Sequence, residues 1–178
     1  MIAATTFLDY SVPADQPASQ DYCIRQAQLT DGAVVKILFG KLHAFNAALD
    51  PQFALSEHWE TYFDAALQEA LRGKEALCLI AREADTSRPC GFALARIHRD
   101  SDMWRFREWI EVEALYVEDN WRGCGLADML LARTCEWAES VGQRTVQLYV
   151  TASNERAIRF YQNEGFRETQ AIMRKTLA

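Results

Sequence analysis

Apolar residues in the first third of the chain recur at helical spacing and predict two helices. A short strand over Tyr22–Gln28 precedes them, because apolar and polar residues alternate there. The first helix begins at Thr30 or Asp31 and ends at the Asp50-Pro51 pair, with Val34, Leu38, Leu42, Phe45 and Leu49 on one face. The second begins near Ser56 and ends at Gly73, with Trp59, Phe63, Ala66, Leu67, Ala70 and Leu71 on one face.

The pattern then changes to that of strands. Ala76–Arg82 and Cys90–His98 are predicted strands joined by a turn at 85–89, and a third reaches Val117, most regular over Trp109–Val117. A helix carrying Leu126, Leu130, Trp137 and Val141 follows Arg122 and ends at Gly142.

The last part of the chain predicts one more strand, one more helix and a strand-like tail. Thr145–Val150 is a short apolar run of the kind buried between layers, and Ser153–Glu164 is a helix ended by Gly165 in the left-handed conformation. Phe166–Leu177 is compatible with one or two final strands. This order of elements predicts an α/β (α+β) fold with a mixed central sheet flanked by helices.

Composition favours one globular domain. Of 178 residues, 49 % are hydrophobic and 25 % charged, which is ordinary for a folded protein with a sizeable core. Residues 1–20 are rich in proline, serine and polar residues and are predicted to form an extended or mobile lead-in to a domain over 21–178.

Charge and cysteine usage exclude several classes of function. A net charge of -6 without a lysine or arginine block argues against nucleic acid as a partner. The five cysteines show no CxxC pair and no matching histidines, so neither a metal site nor a disulfide framework is expected. No basic leader and no run of roughly 20 apolar residues is visible, so we predict a cytoplasmic protein that does not bind membranes.

The segment Val112–Leu131 predicts an anion site. A strand ends, and Arg122-Gly123-Cys124-Gly125 opens a helix whose first backbone N–H groups have no acceptor. Glycines let a phosphate approach the backbone, and Arg122 adds a charge suited to phosphate oxygens. Neither a Walker loop nor GxGxxG is present, and a plain strand-to-helix turn would look the same.

The following helix carries an unusual polar face. Asn154, Ala157 and Tyr161 are spaced three and then four residues apart, so they share one side of the helix. As alternatives, Asn154 is only a helix cap and Tyr161 only a packing aromatic.

Together these segments resemble the GNAT N-acetyltransferase superfamily. R-x-x-G-x-A at Arg122–Ala127, preceded by L-Y-V at Leu115–Val117, is similar to its coenzyme A motif. N-x-x-A-I-x-F-Y-x-x-x-G-F at Asn154–Phe166 is similar to its next helix motif. The resemblance implies a V-shaped split between the fourth and fifth strands that holds acetyl-CoA.

The resemblance also implies which residues contact the cofactor. The pantetheine arm would pair with Leu115, Tyr116 and Val117, and Asn154 would touch it. The pyrophosphate would lie on the N–H groups of Arg122, Gly123, Cys124, Gly125, Leu126 and Ala127, and Tyr161 would lie near the thioester sulfur. No metal is implied.

Three residues are candidates for acid–base catalysis. Tyr161, whose phenol stays protonated at neutral pH, can donate to the departing thiolate. Glu113 and Glu111 alternate on one strand face and could deprotonate an ammonium, Glu113 at the position used by polyamine-type members and Glu111 nearer to that of histone-type members. An unpaired N–H at a strand bulge could stabilise the thioester oxygen. Alternatively, either glutamate only lines a solvated face or pairs with Arg105 or Arg107.

The predicted activity is direct acetyl transfer, in a ternary complex, to a primary amine of a small cationic molecule. Protein lysine or N-terminal amine acetylation stays open, although Tyr149 stands where ribosomal N-terminal acetyltransferases tend to carry glutamate. A coenzyme A-binding regulatory module without turnover and a homodimeric interaction domain also stay open.

Overall fold

A computed structural model describes residues 21–177, and the predicted lead-in, 1–20, lies outside the described residues. Strand β1 (Tyr22–Gln26) is followed by helix α1 (Gly32–Leu49) and helix α2 (Trp59–Arg72). The chain leaves α1 at Asp50, whose backbone is extended (φ -148°, ψ 112°) because the following Pro51 disfavours helical geometry. Both predicted N-terminal helices are confirmed.

The sheet is mixed. Strands β2 (Ala76–Glu83), β3 (Pro89–Arg99) and β4 (Glu108–Val117) pair antiparallel with their neighbours, and β5 (Val146–Leu148) pairs parallel with β4. The strand order is β1-β2-β3-β4-β5. Helix α3 (Leu126–Ser140) links β4 to β5, and helix α4 (Glu155–Asn163) follows. The predicted α/β (α+β) class is confirmed.

Alternation along the strands sends side chains into two cores, one on each face of the sheet. The core under α1 and α2 contains Leu38, Phe63, Leu67, Phe92 and Ala114. The core under α3 contains Ile97, Ile110, Val112, Leu130 and Trp137, with Phe160 and Tyr161 of α4 packed against it.

Strands β4 and β5 separate after a short contact. Their pairing covers only Ile110–Val112 against Val146–Leu148, and β4 continues to Val117 without β5 beside it. This separation is the predicted split between the fourth and fifth strands. A β-bulge in β4 lies at the same point, because Ala95 pairs with Val112 and Leu94 with Ala114.

Asp31 fixes the start of α1 to the sheet. Its buried carboxylate accepts hydrogen bonds from Arg25 (2.7 and 2.9 Å), Arg82 (2.9 Å) and the N–H of Gln28 (2.9 Å). The hydrogen bonds from Arg25, above all, hold the pKa of Asp31 well below its usual range.

Two expectations about the C-terminal part are wrong. Strand β5 has three residues instead of Thr145–Val150 and lies half-buried at the sheet edge, not between layers. The tail, Phe166–Leu177, contains no strand. Ala171, Ile172 and Met173 are consecutive, so a strand there would have no single apolar face to bury, and Arg174 instead pairs with Asp50 (3.1 Å).

One helix meets the length and composition of a membrane span, contrary to the expectation from sequence. It is Leu29–Leu49, including the turn before α1. In this fold it packs on α2 and on β3 and β4, with Val35 and Leu38 buried. Only one side of the helix contributes to the core, because Ile37 and Phe45 are exposed.

Candidate functional site

The turn between β4 and α3 presents unpaired backbone N–H groups. Gly123 and Gly125 both have φ +82°, and a Cβ on either would meet nothing within 4 Å. Helix α3 begins at Leu126, and no N–H from Gly123 to Asp128 donates to an acceptor within residues 21–177. With the positive end of the helix dipole beside them, these groups favour an anion.

Arg122 is folded back in this structure and does not extend into the turn. Its Nε donates to the carbonyl of Val117 (3.1 Å), and its guanidinium pairs with Asp119 (2.6 Å) over the rings of Phe45 and Tyr116. Asp119 has a side chain that is 84 % exposed, so this pair is weak enough for an incoming phosphate to replace it.

The predicted cofactor residues of β4 have one open backbone edge. Leu115, Tyr116 and Val117 pair with β3 on one side, and β5 does not reach them on the other. Side chains of Tyr116 and Val117 are buried, and Tyr116 donates its hydroxyl to Glu118 (3.2 Å). This stretch therefore offers its backbone to a ligand.

The remaining residues of the turn divide between exposed and buried side chains. Cys124 is exposed and its thiol donates to the carbonyl of Trp121 (2.9 Å). Leu126 is buried in the α3 core and Ala127 packs against that core, so both contribute only their N–H groups to the turn.

Asn154 and Tyr161 are held by α4 in different ways. The side-chain oxygen of Asn154 accepts from the N–H of Ala157 (3.2 Å), which caps the helix and leaves the amide NH₂ without an acceptor among residues 21–177. Tyr161 packs its ring against Phe160 (5.0 Å) and Phe166 (5.7 Å).

The Tyr161 phenol is a protonated donor at neutral pH. Burial raises its pKa to about 12. Its hydroxyl forms no hydrogen bond within the described part of the chain, residues 21–177. The proton therefore stays available to a ligand.

A cavity of about 400 Å³ lies at the other side of the split, which we call the α1–α2 cavity. Its lining comes from both helices, from β3 and β4 and from the residue after β5: Phe39, His43, Phe63, Ala66, Leu67, Leu94, Arg96, Glu111, Val112, Glu113 and Tyr149. Both candidate bases lie here, and Tyr149 adds an exposed phenol.

Glu113 is the extra residue of the bulge in β4. It lies between the two register positions that pair with β3, and β5 pairing stops at Val112, so neither neighbouring strand offers it an opposite residue. Its carboxylate contacts Arg96 Nε at 2.5 Å with a side chain 28 % exposed. Burial raises its pKa, while the charge of Arg96 acts in the opposite direction.

Glu111 has different partners. Its carboxylate accepts from Trp109 Nε1 (3.4 Å) and lies 3.6 Å from His98 Nδ1. The rings of His98 and Trp109 stack at 4.4 Å. The expected alternative partners, Arg105 and Arg107, do not contact either glutamate, because they belong to the loop before β4 and Arg107 pairs with Asp102 instead.

Sequence reasoning did not single out Arg96, His98 or His43 as functional residues. Alternation in β3 places Arg96 and His98 on the face of Leu94, toward α1 and α2, and this signal was readable. His43 lies four residues after Phe39 on α1, with the rings 4.3 Å apart. Its Nδ1 is buried without a hydrogen-bond partner in the described residues, and burial lowers the pKa of its imidazole.

The sequence matches one family over most of its length. A sequence profile described as the acetyltransferase (GNAT) family matches residues 42–166, which span the split, the glycine turn and α4. The chain belongs to the GNAT family. An uncharacterised N-acetyltransferase of Methanocaldococcus jannaschii is 32 % identical over 85 residues, 48 % of this chain and 37 % of that protein. The chain thus spans about a third of the length of the curated relatives it matches.

Solved structures share the GNAT fold. An aminoglycoside N-acetyltransferase, AAC(6')-Iy, in complex with the bisubstrate analogue CoA-S-monomethyl-acetylneamine, superposes with a TM-score of 0.70 at 22 % identity, covering 89 % of this chain and 99 % of that one. A predicted acetyltransferase of Clostridium acetobutylicum with acetyl-CoA has a TM-score of 0.68 at 15 % identity, covering 87 % and 96 %.

Proposed function

We propose that this GNAT protein transfers an acetyl group from acetyl-CoA to the primary amine of a small cationic molecule, by direct attack in a ternary complex. The observation that carries the proposal is the split itself. At one end it has the glycine turn with unpaired N–H groups, and at the other a cavity lined by Glu111 and Glu113. An acyl donor and an amine can therefore meet where β4 and β5 separate.

The residues present fit coenzyme A. The turn from Gly123 to Asp128 offers N–H groups and no Cβ crowding to a pyrophosphate, and Arg122 can add charge by leaving Asp119. The open edge of Leu115–Val117 and the free amide NH₂ of Asn154 suit the amides of pantetheine. When bound, acetyl-CoA supplies the acetyl group as an activated thioester.

Glu113 is the preferred base and Glu111 the second choice. A lysine-type ammonium has a pKa near 10.4, so it must lose a proton before its nitrogen can attack. Burial raises the pKa of Glu113, which makes it a stronger base than an exposed carboxylate. Its position at the bulge, beside the end of β5, supports this choice over Glu111, although Arg96 lies closer to Glu113 (2.5 Å) than Trp109 lies to Glu111 (3.4 Å).

Tyr161 is the proposed acid. Its raised pKa, about 12, keeps the proton on the phenol, and no partner among residues 21–177 competes for that proton. It would be donated as negative charge develops on the leaving sulfur. The backbone at the Glu113 bulge is the proposed donor to the thioester oxygen.

The cavity supports a small acceptor, and the free thiols support the cytoplasm as the compartment. A volume of about 400 Å³, lying between two helices and the sheet, is typical of small-molecule sites. All five cysteines are free, as expected in a reducing compartment.

The test has two arms. Calorimetry with acetyl-CoA examines the cofactor site, and ligand at about 100 times its dissociation constant should stabilise the fold by roughly 2.7 kcal/mol. A panel of amines incubated with acetyl-CoA, monitored by thiol release, examines transfer. Binding without acceptor-dependent release would favour a regulatory module, and release only with peptides would favour a protein acetyltransferase.

A further inference from the structure

We propose that the acceptor carries its single amine on a flat aromatic body, which lies against Phe39 and Phe63 in the α1–α2 cavity. This inference rests on the proposed function and adds the chemical class of the acceptor. It separates this protein from the aminoglycoside acetyltransferase of similar fold, whose bisubstrate analogue carries acetylneamine.

The helix side of the cavity is an aromatic and aliphatic wall. Phe39 and Phe63 stack with ring centroids 4.1 Å apart and planes at 27°, and Ala66 and Leu67 continue the surface. Phe39 is half-buried and lines the cavity, where His43 (4.3 Å) and Trp59 (5.7 Å) also pack on its ring. A planar apolar group gains contact along this wall, whereas its aromatic and aliphatic side chains offer hydroxyl groups no hydrogen-bond partner, and on the helix side only His43 of the lining residues has a polar side chain.

The sheet side of the cavity carries charge for one cation. Glu111 and Glu113 are carboxylates, and Arg96 offsets one of them through its contact with Glu113. Burial lowers the pKa of the nearby His43, so its imidazole adds no charge at neutral pH. The lining therefore sums to about one negative charge, which matches one ammonium rather than a polyamine.

Size and orientation agree with such a molecule. A cavity of roughly 150 Å³ is enough for benzene, so about 400 Å³ leaves space for one or two rings and a short alkyl arm. The apolar wall and the carboxylates face each other across this space. A ring placed on Phe39 thus directs its arm toward the Glu113 bulge, where transfer is proposed.

The experiment compares phenylethylamine and tryptamine with propylamine, spermidine and neamine, measuring acetyl-CoA-dependent thiol release. We expect kcat/KM for phenylethylamine to exceed that for neamine or spermidine by at least about 100-fold, because several unpaired polar groups each cost about tenfold. Calorimetry with phenylethylamine and coenzyme A, which cannot react, measures occupancy of the cavity independently of turnover.

A variant tests the wall directly. Phe39→Leu keeps apolar volume and removes the flat ring, so affinity for phenylethylamine should fall about tenfold, and kcat/KM for propylamine should fall by a clearly smaller factor. Tyr62→Leu is the matched control, since Tyr62 lies on α2 beside Phe63 but is 74 % exposed. Circular dichroism verifies that both variants fold.

Outcomes separate the two proposals. Preference for neamine or spermidine, or equal effects of Phe39→Leu on both amines, would overturn the aromatic acceptor and leave acetyl transfer standing. Binding of phenylethylamine that depends on Phe39, without turnover of any amine, would support the cavity assignment and overturn the proposed function. Neither binding nor turnover would overturn both.

Discussion

Replacing Tyr161 by phenylalanine removes one hydroxyl and leaves the ring that packs on Phe160 and Phe166. The hydroxyl forms no hydrogen bond within residues 21–177, so its loss breaks no native contact there. We therefore expect the free energy of unfolding at neutral pH to change by less than about 0.5 kcal/mol. Affinity for acetyl-CoA should stay the same, because the proposed proton donation matters only as negative charge develops on the leaving sulfur in the transition state.

The catalytic effect should be much larger. A general acid typically contributes 10²–10⁴-fold, and a thiol with a pKa near 8.5 is a tolerable leaving group, which places the loss at the lower end. We expect kcat to fall about 100-fold, which corresponds to about 2.7 kcal/mol of transition-state stabilisation. A pKa of about 12 means that the wild-type phenol does not titrate near neutral pH.

The raised pKa of Tyr161 also predicts how the stability of the fold changes at high pH. The pKa of Tyr161 in the folded protein lies above the ordinary value near 10. Below about pH 10 the phenol is protonated in both the folded and the unfolded state, so the free energy of unfolding does not depend on its ionisation there. Stability is lost as pH rises from about 10 to 12, where the unfolded phenol ionises and the folded one does not. The phenylalanine variant should lose less stability over this window than the wild type.

The assay is thiol release with saturating acceptor, beside calorimetry with acetyl-CoA and urea unfolding, with Tyr62→Phe as the control at an exposed tyrosine. Full activity in the Tyr161 variant would refute the acid role and leave this residue to packing. A parallel loss of acetyl-CoA affinity would refute the reasoning in another way, because the hydroxyl would then act in binding.

Substitutions at three further sites, with controls, test the proposed base, the cofactor turn and the buried Asp31. Glu113→Gln should lower turnover most toward neutral pH, where the acceptor is an ammonium that must lose a proton, and Glu111→Gln should cause a smaller loss. If pH–rate profiles show the larger loss for Glu111→Gln, Glu111 is the base instead of Glu113. Gly125→Asp should abolish acetyl-CoA binding in calorimetry by repelling pyrophosphate, while Gly142→Asp, with an equally open site at φ +80°, should share the backbone strain and still bind. Asp31→Asn should cost about 2–3 kcal/mol in urea unfolding, below the range for a fully buried pair because its two arginine partners are partly exposed. The stability from this carboxylate exists above its ordinary pKa near 4 and is lost on acidification, so wild type and variant should converge at low pH; an unchanged gap would contradict this.

The order of elements could be predicted because helical and strand periodicities change cleanly along the chain. The conformation of the turn before α3 was also predictable, since Gly123 and Gly125 do adopt the left-handed conformation that their residue type permits. The split required a non-local fact, the point where β5 stops pairing with β4, and only the resemblance to a family supplied it. The tail, Phe166–Leu177, was wrongly predicted to form strands because it contains apolar residues, but these do not alternate regularly with polar residues.

The surroundings of the proposed base could not be predicted in full. Arg96 meets Glu113 because a bulge offsets β4 against β3 by one residue, and no local pattern marks that offset. His43 lines the cavity because of the position that α1 takes when it packs on β3 and β4. Such partners depend on packing between elements, which periodicity within one element does not encode.

The most direct test of acetyl transfer is mass spectrometry of an amine incubated with acetyl-CoA and the protein, with thiol release followed in the same sample. The account predicts that the amine gains one acetyl group in step with released coenzyme A, and that Gly125→Asp abolishes both. Thiol release without an acetylated amine, or acetylation that persists in the Gly125 variant, would contradict it.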